Sequence, residues 1–445
     1  MSALFTTEVS NRRVFAIALP IMLANVSQPL LGIVDTAVIG RLPEPYFIGA
    51  IALGALIFSF LYWSFGFLRM GTGGLAAQAY GAADGPELIA VLGRAFLIAG
   101  IAGIGLIALS PAIEVIAFRL VQGSEAVEEH AQTYFRIRIW SAPFTLATYA
   151  MVGWFVGIGK ARLALVIQLV LNLMNMALDV LFVLGLGMTS DGIALGSLIA
   201  EVTAALVGFG LVAVTIKRFG MRWETRLLFN RSRLKRTFAV NRDIMIRSML
   251  LIVVFFWFTA EGARFGDVTM AANAVLMHFL TFSSYLIDGF AHAAEALVGQ
   301  AVGRRARAMY RDAVLLSSLW AGALALGLCA AIVIAGPTMI DALTVSPEVR
   351  ATARHYLPWV AISPLLGFVC FQLDGIFTGA TQTADMRNMM GVSFAAFVTA
   401  WWVLTPIWGN HGLWASLDLF FLVRSLSLGA RLPALERQAF GVPPG

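Results

Sequence analysis

The stretch "NLMNMALDVLFV", residues 172–183, places Asn172, Asn175 and Asp179 at i, i+3 and i+7. On a helix that spacing brings two amides and a carboxylate onto one face. A second apolar run does the same with Asn25, Gln28 and Asp35. Amide and carboxylate oxygens can ligate a monovalent cation, and two carboxylates sharing a poorly hydrated pocket disfavour double ionisation, so one of them takes up a proton more readily than in water. Cation binding is the chemistry these residues could do, whereas the same amides could instead cross-link helices by hydrogen bonds. Which reading applies depends on the solvent around the helices.

Composition identifies that solvent. The 445 residues are 59% hydrophobic and only 13% charged, with a mean hydropathy of +0.83. A soluble globular chain carries roughly 25% charged residues. Runs long enough to cross a bilayer, ~20 residues each, recur at 14–39, 46–69, 88–110, 133–157, 163–187 and 190–215, then at 242–265, 271–296, 311–336, 356–378, 387–409 and 411–433. The expectation is an all-α membrane protein of twelve transmembrane helices. Cys329 and Cys370 both sit in apolar runs and suggest neither a disulfide framework nor a metal site. The first run continues past signal-peptide length, so insertion by the first helix itself is expected. The net charge of +6 lies in short loops rather than on one face, which argues against a nucleic-acid partner.

The longest polar interruption, 216–241, holds Lys217, Arg218, Arg222, Arg226, Arg231, Arg233, Lys235 and Arg236 against the acid Glu224. Arg12, Arg13, Lys160, Arg162, Arg304, Arg305, Arg307, Arg387, Arg431 and Arg437 fall on the same side if twelve helices alternate. The opposite loops hold Glu44, Glu125, Glu128, Glu129, Asp191, Asp267 and Asp341, with Arg119, Arg136, Arg138, Arg350 and Arg354 as exceptions. The positive-inside rule then puts both termini in the cytoplasm.

An internal repeat organises these helices. "QAYG" at Gln78 returns as "QAVG" at Gln300, an offset of 222 that also pairs Gly40 with Gly262, Ala52 with Ala274, Ser124 with Ser346, Tyr134 with Tyr356, Ser141 with Ser363, Phe155 with Phe377 and Gly157 with Gly379. The chain therefore divides into an N-terminal six-helix lobe (1–215), a basic linker (216–241) and a C-terminal six-helix lobe (242–445). Six being even, both lobes enter from one side and the repeat is parallel, an arrangement of transporters. An ion channel would need matching rings of polar residues from the two halves, which the sequence lacks, and no H-E-x-x-H or paired nucleophile and base lies inside a helix to suggest an enzyme.

The stretches "PIMLANVSQPLLGIVDTAVIGRL" (20–42), "QAYGAAD" (78–84), "GIGKAR" (157–162), "DGFAHAAEALVGQAVG" (288–303) and "GATQTAD" (379–385), set in a 6+6 array, resemble the multidrug and toxic compound extrusion (MATE) family, and within it the DNA-damage-inducible protein F (DinF)-like branch. The resemblance covers nearly the whole chain. It implies a cation-coupled antiporter of the bacterial inner membrane that exports small amphipathic, often cationic, compounds by rocking two lobes. No cofactor is implied beyond the coupling ion, H+ or Na+; membrane lipids and the exported compounds are the expected partners, and a monomer the expected state. A lipid or lipid-linked precursor flippase of the same superfamily is the rival reading, with Arg69 its sole support.

The resemblance also assigns residues. Similar sequences carry an acid on helix one, an Asn–Asp pair on helix five and a hydroxyl on helix six, which fall here on Asp35, Asn175, Asp179 and Ser197, where serine replaces the more usual threonine. At the helical rise Asp179, Asp35 and Ser197 lie roughly 12, 8 and 10 Å from the outer edge, a common level, and Asn172 and Gln28 on the same faces are counted in the pocket with them. Charge at that depth is expected to face a cavity and a partner. Pro20 matches a helix-one proline at which bending is proposed, since proline removes a helical hydrogen bond. Another branch uses acids deep in helices seven and ten; here 249–258 has none, Glu261 lies near an outer end, and Asp374 lies near a cytoplasmic end. The 222 offset sets Trp257 opposite Asp35 and Trp401 opposite Asp179, so an aromatic C-terminal face is expected to contact substrate. Asp288, His292 and Glu295 share one face of helix eight and are expected to act as a cytoplasmic latch, pairing with Arg304, Arg305 or loops, rather than as a metal site.

Overall fold

A computed structural model describes residues 8–41, 44–120, 123–220 and 224–441, leaving out the side chains of 29, 30, 33, 35, 36 and 225. Twelve long helical segments follow one another: α1 Asn11–Ile39, α2 Pro45–Gly81, α3 Gly85–Ala108, α4 Glu125–Gly157, α5 Ala161–Gly185, α6 Ser190–Phe219, α7 Arg231–Ala263, α8 Asp267–Gly303, α9 Arg307–Leu343, α10 Pro347–Gly379, α11 Thr383–Trp408 and α12 Asn410–Phe440. The eleven from α2 onward are long and apolar enough to cross a membrane. The chain is a multi-pass helical membrane protein of the expected twelve-helix class.

Helices outrun the apolar runs that announce them. α9 reaches from Arg307 to Leu343, and α10 begins at Pro347, nine residues before its apolar run. Apolar residues mark only the stretch that meets hydrocarbon, while the backbone goes on satisfying its own hydrogen bonds past it. Sequence-level stop signals hold locally. Asp84 accepts the Glu87 N–H at 2.9 Å at the start of α3, Pro347 opens α10 behind Ser346, and Gly220 ends α6 at φ +64°, a left-handed cap that suits glycine. The basic 216–241 stretch is largely helical, because α6 extends to Phe219 and α7 starts at Arg231. Lys and Arg are good helix formers, so a run of them extends a helix as readily as it makes a loop. A short helix the apolar pattern did not announce, Ser110–Leu120, follows α3.

Packing sorts the helices into two compact units. One, the N-terminal unit, holds Leu23–Ala76 and Asp84–Thr237; the C-terminal unit holds the residues up to Met22, Ala77–Ala83 and those from Phe238 on. The division thus cuts α1 between Met22 and Leu23, within one turn of Pro20, although α1 is helical throughout. In the N-terminal unit Trp154, Phe155, Phe58, Tyr134 and Phe135 are fully buried, and the Trp154 indole donates to the Leu88 carbonyl at 3.0 Å. The C-terminal unit packs Phe258, Leu276, Phe397, Trp414 and Phe420 into its own core. There α8 and α10 approach so closely that a Cβ on Gly375 would lie 2.0 Å from the Ala291 carbonyl oxygen, a crossing that only small residues permit.

Candidate functional site

The N-terminal unit gathers the residues singled out on α5 and α6. α5 is regular to Asp179, then widens into a π-helical turn, Val180–Gly185. Such turns occur often at functional sites. Asn172, Asn175 and Asp179 are all buried, Asp179 completely, so the stripe faces protein rather than lipid. The Asn175 side-chain amide donates to Ser197 Oγ at 3.1 Å, and the Asn172 amide donates to Ser27 Oγ on α1 at 2.6 Å. Gln168 donates in turn to Asn172 Oδ1 at 3.1 Å. The Asp179 carboxylate rests on Gly196 of α6, where a Cβ would meet its Oδ1 at 2.5 Å. One amide, one carboxylate and one hydroxyl from α5 and α6 thus share a small buried space.

Asp35 lies on α1, but its side chain falls outside the described residues. Asn25 on the same helix is buried, whereas Gln28 is exposed. A carboxylate held beside amide and hydroxyl oxygens can take a proton, or it can supply oxygen ligands to a monovalent ion.

Beside this group runs an ion-pair network that the sequence reading missed. Glu201, one turn past Ser197 on α6, is only 7% exposed and pairs with Arg138 at 3.0 Å. Thr145 donates to its second oxygen at 2.9 Å, Arg138 also donates to the Tyr134 hydroxyl, and Tyr62 hydrogen-bonds Ser141 at 3.0 Å. Arg138 did carry a signal, being one of the arginines on the wrong side for the charge bias. Three of the other exceptions are also paired: Arg136 with Glu114 at 2.7 Å, and Arg354 and Arg350 with Asp341 at 2.6 and 3.6 Å.

The C-terminal unit is built differently. Trp257 of α7 and Trp401 of α11 are half-buried and meet edge to face with ring centroids 4.9 Å apart. Asp374 is ion-paired with both Arg247 and Arg424, all three buried, and Glu261 pairs with Arg264 at 3.0 Å. Both acids are thus held by arginine. On α8, Glu295 turns back to His292, Oε2 to Nδ1 at 2.9 Å, and both are buried, while Asp288 is half-buried.

Comparison with known proteins agrees with this architecture. The family profile MatE matches twice, over residues 20–181 and 244–402, one match in each half of the internal repeat. The chain is 42% identical over 424 residues, 95% of its length and 92% of the relative's, to the DNA damage-inducible protein F of Escherichia coli (strain K12). It is 23% identical to the multidrug export protein MepA of Staphylococcus haemolyticus, over 90% of this chain and 88% of that one. Its fold superposes with a TM-score of 0.87 and 18% identity, covering 96% of this chain and 97% of the other, on a structure described as the outward-facing conformation of a multidrug resistance MATE family transporter of the MOP superfamily. With the duplicated helical halves and the paired profile matches, the chain belongs to the multidrug and toxic compound extrusion (MatE) family of membrane transporters.

Proposed function

We propose that the protein is a proton-coupled antiporter that exports small amphipathic, often cationic, organic compounds from the cytoplasm by alternating access of its two six-helix halves. The observation that carries the reading is the buried Asp179 packed against Gly196, one turn from Asn175, whose amide bonds Ser197. A charge at that depth is costly and marks ion pathways. A proton on Asp179, or on Asp35, removes charge from the N-terminal unit, and its loss restores it. That change biases the packing of α1, in which the division between the two packing units falls beside Pro20. Pro20 is the hinge in this reading, and Trp257 with Trp401 supplies apolar and cation–π contacts to the exported compound. The protein works as a monomer in the bacterial inner membrane, with both termini in the cytoplasm, a reading that the basic loops support.

The test is transport in vesicles with an imposed pH gradient in sodium-free buffer, over a panel of cationic dyes and bile salts. Efflux driven by the pH gradient alone supports the proposal. Efflux that ignores pH and returns only with a sodium gradient assigns the same oxygen ligands to sodium instead.

A further inference from the structure

The C-terminal unit contains a buried acid that the reading above does not use. Asp418, on the third turn of α12, is 4% exposed. Its Oδ1 lies 2.7 Å from the Ser363 hydroxyl of α10, its Oδ2 has no hydrogen-bond partner, and no cation pairs with it among the described residues. Ser363 Oγ also lies 2.9 Å from the Trp359 carbonyl oxygen one turn earlier on its own helix. A serine hydroxyl has one hydrogen to give. If that hydrogen goes to the Trp359 carbonyl, the usual back-bond of a helical serine, the contact with Asp418 needs a hydrogen from the carboxyl group itself. If Asp418 is ionised, the hydroxyl must swing to it and release the carbonyl. The contact therefore has two states that differ by one proton.

The surroundings give this switch a route and a lever. Two turns before Asp418 on α12, His411 Nδ1 accepts from the Trp359 indole at 2.9 Å, and His411 Nε2 lies 2.9 Å from His355 Nε2 of α10 at an exposed position. The imidazole pair thus stands at the exposed end of the same α10–α12 seam that holds Ser363 and Asp418. The lever is Pro364, directly after Ser363, and Pro358, directly before Trp359. Each leaves one helical carbonyl without its usual N–H, so the turn carrying the switch is flanked by two missing helical hydrogen bonds. The other charged groups around it are engaged elsewhere or distant. Arg424, six residues further along α12 and roughly 9 Å along its axis, pairs with Asp374 of α10, as does Arg247 of α7. Arg354 of α10 pairs with Asp341 and Glu261 of α7 with Arg264. α11 has no charged residue after Arg387. From α7, Phe258 packs on Trp414, one turn before Asp418, and from α8, Asn273 accepts from the same indole at 2.9 Å. Between Asn273 and His292, α8 carries the titratable residues His278, which is exposed, and Tyr285 and Asp288, which are half-buried.

We infer that Asp418 is a second proton-binding site, in the C-terminal half, reached from the His355–His411 end and coupled through Ser363 to the proline-flanked turn of α10. Its transport role rests on the proton-coupled reading, but its protonation does not. The experiment is infrared difference spectroscopy of the purified protein in lipid, titrated with pH, for the wild type, Asp418→Asn, Ser363→Ala and Asp179→Asn. The expected result is a carboxylic-acid C=O band that titrates, survives Asp179→Asn and is lost in Asp418→Asn. In Ser363→Ala, which removes a donor to the ionised form, that band should shift in frequency and its midpoint should rise by about one pH unit, a tenfold change in proton affinity. A spectrum unchanged by Asp418→Asn overturns the site, as does a band indifferent to Ser363→Ala. Should Asp418→Asn fail to fold, the Ser363→Ala shift decides alone. Asp179→Asn reports separately on the N-terminal site, so one can fail without the other.

Discussion

Asp179 and Gly196 are in direct contact across α5 and α6: a Cβ at 196 would sit 2.5 Å from Asp179 Oδ1, with the next neighbour, Leu178 Cβ, at 3.4 Å. No real Cβ tolerates that approach, so the carboxylate owes its position to the absence of a side chain on α6. Gly196→Ala is then a way to move the acid without altering its chemistry. Overpacking of this kind costs about 1–3 kcal/mol, and a displaced carboxylate loses its alignment with Asn175 and Ser197. The variant should be produced and inserted at near wild-type level, yet its efflux should fall at least about tenfold, the equivalent of about 1.4 kcal/mol. Unchanged efflux would separate Asp179 from the transport cycle.

Asp179→Asn poses the complementary question, since it keeps shape and hydrogen-bonding capacity while removing the titratable group. Efflux should be lost with folding intact, and thermal stability in detergent should hold or rise, because burying a charge costs more than burying a neutral amide. Wild-type transport in this variant would end the claim that Asp179 carries the coupling ion.

How much of this was legible in the sequence follows from periodicity and its limits. The stripe on α5 could be read because 3.6-residue spacing decides the face of a helix, and the repeat could be read because Gln78 and Gln300 keep one offset with seven further pairs. What could not be read is the partner across helices. Glu201 lies in an ordinary apolar run, and nothing along the chain joins it to Arg138, 63 residues away. The same holds for Asp418 and Ser363, 55 residues apart. Gly196 looked like any membrane-helix glycine until the distance to Asp179 gave it a reason. The helical continuation of 216–241 was hidden for a different reason, since a basic sequence is equally at home in a solvated helix and in a loop.

The Trp257–Trp401 pair gives the division of labour between the halves a direct test. The rings meet at 4.9 Å, and a cation over such a face gains about 0.5–2 kcal/mol. Trp257→Ala and Trp401→Ala should each weaken the apparent affinity for a cationic dye by roughly two- to thirtyfold, with the pH profile of efflux unmoved. Asp179→Asn should do the reverse. Concentration and pH dependence measured on the same vesicle preparations check both. A shifted pH profile in the tryptophan variants would show that the aromatic pair does not act on substrate alone.

The last test concerns Arg138 and Glu201, whose ion pair at 3.0 Å packs among Thr145, Tyr134 and Phe58, with Glu201 buried and Arg138 half-buried. Removing one partner leaves the other as an uncompensated charge in a dry interior, which costs about 3–5 kcal/mol, whereas replacing both with neutral groups of similar volume is close to neutral. Arg138→Met alone should therefore lower the melting temperature sharply and reduce the amount of inserted protein. The double variant Arg138→Met, Glu201→Gln should recover most of the loss. If the pair only holds α4 against α6, the recovered variant should also regain efflux. If Glu201, one turn from Ser197, instead takes part in ion movement, stability should return while efflux does not. Melting curves and vesicle transport measured together on the two single variants and the double variant separate these outcomes.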